Sequence, residues 1–347
     1  MNRSKIIIGV HGLGNKPDQV TLTKWWRQAI LEGLKSGGKY FTRPKIEMVY
    51  WADILNGEPL TEKVKDPDNP LFIEERYSKA PKNYERKSHP LRRKILDFID
   101  KQLDKILLND DLSINFSFIT NKIIHKYFHE LEVYYSEKQT ESENSEHLVK
   151  DKIRQRLVRT LNKYRDHDIL LIAHSMGSII AYDVLTFILP EAKIDTFITI
   201  GSPLGMPIVR SKIAAEANIK LYGTQLKTPP GILNRWYNFS DLEDQVAMIY
   251  ELKNDFLPNK LGVRVIDRVV DNNYFIRGKH NPHKSYGYLR TDEMINVIYD
   301  FWTKDRFGKS NLIERMVGES INNFKAISNS SYSEAKKKLR KIRRKLN

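Results

Sequence analysis

Ala173-His174-Ser175-Met176-Gly177 is the stretch on which the fold turns. It lies between an apolar run, Ile169-Leu170-Leu171-Ile172, and a helix-like run from Ser178 to Leu185. A serine among small residues at a strand-to-helix junction has the layout of a nucleophile elbow. The sharp turn strains the serine backbone and requires small residues two before and two after it. The helix that follows aims its first N–H groups at whatever the serine attacks. The pattern reads as an activated serine.

A small-x-Ser-x-Gly match arises by chance in roughly one chain of this length in four, so its position must carry the argument. Four other features fall in the order that acyl hydrolysis needs. The run Lys5-Ile6-Ile7-Ile8-Gly9-Val10 predicts a buried parallel strand. It opens into His11-Gly12-Leu13-Gly14-Asn15, a turn able to present a backbone N–H to a cleft. Downstream, Arg235 to Phe239 reads as a strand, followed by Ser240-Asp241-Leu242-Glu243-Asp244. Then come His280 and His283, just before Ser285-Tyr286-Gly287-Tyr288-Leu289. The chain thus runs serine, acid, histidine.

With Gly201-Ser202-Pro203-Leu204-Gly205 after the strand-like Thr196 to Ile200, the chain resembles the α/β-hydrolase superfamily, and within it the lipase-like serine esterases. The HG turn, the AHSMG elbow and the GSPLG turn carry the resemblance, over residues 5–55 and 148–303. It implies an α/β fold with a mostly parallel sheet flanked by helices. Ala173 stands where the first elbow glycine is usual. The first strand begins at residue 5, without the two strands that usually precede it, so a truncated sheet of about six strands is expected.

The resemblance and the residue order imply Ser175 as nucleophile, activated by a neighbouring base. His283 is the first choice of base, because the family's histidine precedes such a Tyr-rich turn; His280 is the alternative. Asp244 is the preferred acid, since a carboxylate orienting imidazole belongs at the tip of the loop; Asp241, nearer the strand, is the alternative and is suited to bonding loop amides. The backbone N–H groups of Leu13 and Met176 are the expected oxyanion donors. His11 and His174 read as positioning or packing residues, and Ser202, beside a proline, as structural. His125 and His129 stand four apart on an expected helix, but without a third ligand they read as a solvated face. The chemistry calls for no cofactor and no metal.

The chain has 347 residues, 40% of them hydrophobic, enough for a large core. No apolar run approaches the ~18 residues of a membrane span. Met1-Asn2-Arg3-Ser4 leads straight into a strand, which leaves no place for a signal peptide. Cysteine is absent, which excludes disulfides and thiol chemistry and fits a reducing compartment. The default is cytoplasmic.

Residues 1–55 and 147–308 are expected to form the hydrolase core. Apolar residues at 22, 25, 26, 29, 30 and 34 predict a helix over Val20 to Leu34, and Lys45 to Trp51 predicts a strand. Residues 56–146 read as an insertion, mostly helical and lying over the site as a cap, with a helical pair packed against the sheet edge as the alternative. Five prolines (59, 67, 70, 81, 90) predict an irregular start to it. Helices are expected over Leu91 to Leu107 and Ile114 to Tyr135, then a polar loop to Glu146. His147 to Tyr164 and Asp292 to Trp302 predict two further helices.

Residues 309–347 form a basic amphipathic tail. Within 333–347, eight basic residues stand against one acidic, seven of the chain's net +15. Ala335, Leu339, Ile342 and Leu346 recur at helical spacing. Each basic residue contributes about 1 kcal/mol at best near an anionic bilayer, so the tail suits peripheral docking to such a membrane. A solubilising, frayed tail is the leading reading and membrane docking comes second; nucleic acid is less favoured, because no aromatics interleave the charges, and a partner protein comes last.

The sequence therefore predicts a serine hydrolase acting on carboxylic esters, with a lipid-like substrate implied by the resemblance. An acyltransferase or thioesterase on the same triad is one alternative. A catalytically inactive hydrolase-fold protein that binds membrane or nucleic acid is another.

Overall fold

The computed structural model describes residues 3–39, 44–85, 149–218 and 225–304, with Pro90, residues 92–94, Leu131, Tyr134 and Tyr135. The chain divides into one compact unit over Arg3–Tyr299 and another from Asp300 onward, of which residues 300–304 are described. The helices expected over Leu91 to Leu107 and Ile114 to Tyr135, His125 and His129, and the basic tail at 309–347 lie outside the described residues, except for the few positions named above.

Six strands form one sheet: β1 (Lys5–Val10), β2 (Ile46–Val49), β3 (Asp168–His174), β4 (Ile194–Ile200), β5 (Ile232–Asp241) and β6 (Val265–Val270). Their spatial order is β2-β1-β3-β4-β5-β6, and every pairing is parallel. Parallel strands covered on both faces read as unbroken apolar runs. Accordingly Ile6, Ile7, Ile8 and Val10 of β1 and Leu170, Leu171, Ile172 and Ala173 of β3 are wholly buried. The truncated α/β-hydrolase sheet expected from the sequence is the one observed. Its sixth strand, β6, has no counterpart among the strands read from the sequence. It is an edge strand with most residues only half-buried, so its apolar signal is diluted.

Helix α1 (Gln19–Ser36) buries Leu22, Trp25, Trp26, Ala29, Ile30 and Leu34, the apolar stripe of its sequence. Asp18 caps it by accepting from the Thr21 amide at 3.0 Å. A short α2 (Ala52–Asn56) follows β2, and α3 (Val149–Lys163) leads into β3. Helix α4 (Met176–Asp183) leaves Ser175 and continues as a π-helical turn over Val184–Ile188. Helices α5 (Pro207–Glu216), α6 (Ser285–Tyr288) and α7 (Asp292–Thr303) complete the set. Among the described residues no helix is long and apolar enough to cross a membrane.

Between α2 and residue 85 the chain forms turns with isolated bridges at Leu60 and Thr61, as its prolines predict. Polar contacts tie this segment to other loops. Tyr77 and the Ala80 amide bond Glu32, Tyr84 bonds Asp271, and Glu75 pairs with Lys284 at 2.7 Å.

The chain goes from β1 outward to β2, then crosses to β3 on the opposite flank of β1. The strand order therefore reverses between β1 and β3, and ligands in open α/β sheets bind at the carboxyl ends of strands at such a point. The HG turn leaves β1 there and Ser175 leaves β3.

Candidate active site

Ser175 sits in a sparsely populated conformation, φ 53° and ψ −128°, at the N-terminus of α4. Such backbone costs of order 1–3 kcal/mol and persists only where the surroundings enforce it. Here the Ser175 amide donates to the Ile200 carbonyl (3.0 Å), and the start of α4 lies directly against β1. A Cβ on Gly177 would stand 2.5 Å from the Val10 carbonyl oxygen and 2.7 Å from that of His11, so only glycine fits. The HG turn closes over the other side: a Cβ on Gly12 would lie 2.7 Å from the Ser175 Cβ.

Three residues remote in sequence meet at this turn. Nε2 of His283 lies 3.1 Å from the Ser175 Oγ, and its Nδ1 lies 2.9 Å from both carboxylate oxygens of Asp244. A carboxylate on Nδ1 holds the proton there and leaves Nε2 free to accept the serine hydroxyl. The Asp244 side chain is wholly buried, and His283 is about a quarter exposed (26%). Asp244 also accepts from the Tyr288 hydroxyl (2.7 Å) and the Val246 amide (2.9 Å), so its charge is solvated by fixed donors. Tyr288 in turn accepts from the Asp241 amide at 2.9 Å.

The two alternatives sit elsewhere. Asp241 accepts from the amides of Glu243 and Asn272, each at 2.6 Å. Burial raises its carboxyl to about 6 despite those amides. His280 directs its ring nitrogens at the Asn272 carbonyl (2.6 Å) and the Glu243 carboxylate (3.1 Å). Both belong to the framework around the loops rather than to the Ser175 contact.

His11 and His174 are buried, and burial above all makes them hard to protonate. His11 falls to about 3, and His174 lies well below the usual histidine value, with His283 adding to the effect. Neutral His11 donates from Nδ1 to the Gly12 carbonyl (2.8 Å) and accepts at Nε2 from the Trp51 amide (3.1 Å), its ring stacked on Trp51. In a trans peptide the C=O and N–H point opposite ways, so holding the Gly12 carbonyl also sets the direction of the Leu13 N–H. Among the described residues the Leu13 and Met176 amides have no hydrogen-bond partner. Lys16 fixes the rest of this turn, donating to the carbonyls of Leu13 and Gly14. His174 donates from Nε2 to the His283 carbonyl at 2.7 Å.

Ser202 bonds Ser178 at 2.8 Å and accepts from the Leu204 amide, which ties the GSPLG turn to α4 and fits a structural role. Gly201, with φ 54°, is the tighter constraint there: a Cβ would stand 2.8 Å from an Asp244 oxygen. Gly201, Trp51, Asn272 and the Tyr288 hydroxyl join the site in addition to the residues to which the sequence points. The glycine between Ile200 and Ser202 and the Tyr-rich turn were visible signals. The contacts of Trp51 and Asn272 are tertiary and left none. Among the described residues no group of three or more acidic or histidine side chains is arranged to hold a metal.

The sequence model of the family described as lecithin:cholesterol acyltransferase matches residues 135–217. Over that segment the chain is similar to this lipid-acting family. The match takes in β3, the elbow, α4 and β4, and ends before Asp244 and His283. No curated protein matches the chain.

His11 makes a pH prediction. Its folded value is lowered, so above about 6.5 both states are neutral and its native contacts count in full; as pH falls below that, the unfolded chain binds a proton that the fold refuses. The stability advantage of the wild type over His11→Gln should therefore shrink from pH 7.5 to pH 5, measured by denaturant unfolding. A difference independent of pH would contradict a neutral, buried His11.

Proposed function

We propose that the protein is a serine hydrolase that cleaves carboxylic esters, with lipid-like substrates, through an acyl-enzyme on Ser175. One observation carries the reading: a single imidazole bridges the Ser175 hydroxyl and the buried Asp244 carboxylate at 3.1 and 2.9 Å. The similarity to a lipid-acting family over residues 135–217 supports the substrate class.

In this mechanism the Ser175 Oγ attacks the ester carbonyl carbon while Nε2 of His283 takes its proton. The carbonyl oxygen becomes an oxyanion and collects the N–H groups of Met176 and Leu13, held in place before the reaction by the elbow and by His11. Asp244 stabilises the imidazolium without itself taking the proton. Collapse of the tetrahedral adduct expels the alcohol, which receives the proton from Nε2, and leaves the acyl group on Ser175. A water then gives its proton to His283 and attacks the acyl carbon. The second adduct releases the acid and returns the proton to Ser175.

A second reading has an observation in its favour. The matched family is described as an acyltransferase, and the same acyl-enzyme would serve if an alcohol took the place of water. The assignment of residues 56–146 as a cap over the site belongs to this proposal, since a cap that excludes water selects the acceptor. So do a cytoplasmic setting and docking of the basic tail on an anionic membrane.

Ser175→Ala should lower ester turnover on the order of 10⁶-fold, as for triads that act as a unit. Asp244→Asn should cost much more kcat than Asp241→Asn on a short-chain nitrophenyl ester; the reverse ranking would exchange their roles.

Removing residues 333–347 should leave turnover of that soluble ester unchanged and lower turnover of ester lipid in anionic vesicles. Equal loss on both substrates would show that the tail belongs to the catalytic body.

A further inference from the structure

We infer that Asn272 is the positioning residue that holds the His283 loop in register with Ser175, an inference that rests on the triad reading above. Asn272 is wholly buried at the end of β6, and every polar group it carries is engaged. Its side-chain amide donates both hydrogens, to the Pro282 carbonyl (2.7 Å) and to the Lys284 carbonyl (2.9 Å). These two carbonyls flank His283 on either side. One planar NH₂ group therefore fixes the Pro282–His283 peptide unit and the Lys284–Ser285 unit beyond the histidine at once.

The remaining contacts of Asn272 keep that amide in place. Its Oδ1 accepts from the Tyr274 amide (3.1 Å), its own amide donates to Asp241, and its carbonyl accepts from His280. The two residues that rival Asp244 and His283 in the sequence thus converge on Asn272. Gly287 makes room for it, because a Cβ there would fall 1.6 Å from the Asn272 Oδ1. Within the loop the His283 amide donates to Asn281 (3.0 Å), whose side chain donates to Glu75, and the His283 carbonyl accepts from His174.

The consequence is kinetic. His283 must span from Asp244 to Ser175, and a displacement of about 1 Å can cost on the order of 10²-fold in rate. Without the Asn272 fork, the Pro282 carbonyl loses its donor and the Lys284 carbonyl keeps only the Gly287 amide at 3.2 Å, so the loop relaxes toward new partners. Asn272→Asp keeps the shape and the Oδ1 acceptor but turns the two donors into an oxygen facing two carbonyls.

The test uses the full chain, a short-chain nitrophenyl ester and a fluorophosphonate probe that labels Ser175. Asn272→Asp should lower kcat and the labelling rate together by about 100-fold, with KM within about threefold. In a His283→Ala background, labelling restored by added imidazole should change less than about threefold on introducing Asn272→Asp, since no tethered histidine remains to be positioned. Asn272→Ser, smaller and uncharged, is measured in the same way should the aspartate variant not fold. An unchanged kcat, or an equal loss of the imidazole-restored rate, would overturn the inference, the latter by showing general damage to the site. Wild-type protein that does not label at Ser175 would instead remove the triad reading, and with it any role for Asn272 in catalysis.

Discussion

The close approach of the β3–α4 turn to the end of β1 is the constraint on which the rest of the site depends. Gly177 lets α4 start against the Val10 and His11 carbonyls, and the approach holds Ser175 at φ 53°. That backbone lifts Oγ to the carboxyl edge of the sheet and aligns the first N–H groups of α4 beside it. The parallel order then does the remaining work of assembly. Turns leaving β1, β3, β4 and β5 all emerge at the same edge, so the HG turn, the elbow, Gly201 and Asp244 become neighbours although His11 and Asp244 stand 233 positions apart in the sequence.

Around this edge charge is confined to where it is useful. The buried Asp244 side chain accepts hydrogen bonds from Tyr288, Val246 and His283. His11 and His174 are kept neutral by burial and serve as fixed hydrogen-bonding frames, one for the Gly12 carbonyl and one for the His283 carbonyl. A positive charge on either would oppose the imidazolium that the proposed mechanism forms on His283. Three histidines in one site thus differ in role through their surroundings. Of these three, only His283 has its imidazole between a hydroxyl and a carboxylate.

Much of this was legible in the sequence, for a physical reason. Buried parallel strands need continuous apolar runs, so β1, β3 and β4 announce themselves. A strained serine needs small neighbours, so the elbow does too. The half-exposed edge strand β6 needs no such run and left no clear mark. The preference for Asp244 over Asp241, and for His283 over His280, came from loop position and family context, and the geometry brings together the preferred pair. The framework was not legible: an asparagine that bonds two carbonyls ten and twelve residues away has no local signature, nor has a tryptophan amide that fixes a histidine tautomer.

The central claim is that Ser175 is an activated nucleophile. The most direct measurement is treatment of wild type and Ser175→Ala with a fluorophosphonate probe, the adduct being mapped by mass spectrometry. The account predicts a single adduct on Ser175 in the wild type and none in the variant. Folded wild-type protein that stays unlabelled, or a label carried on another residue in both proteins, would contradict it.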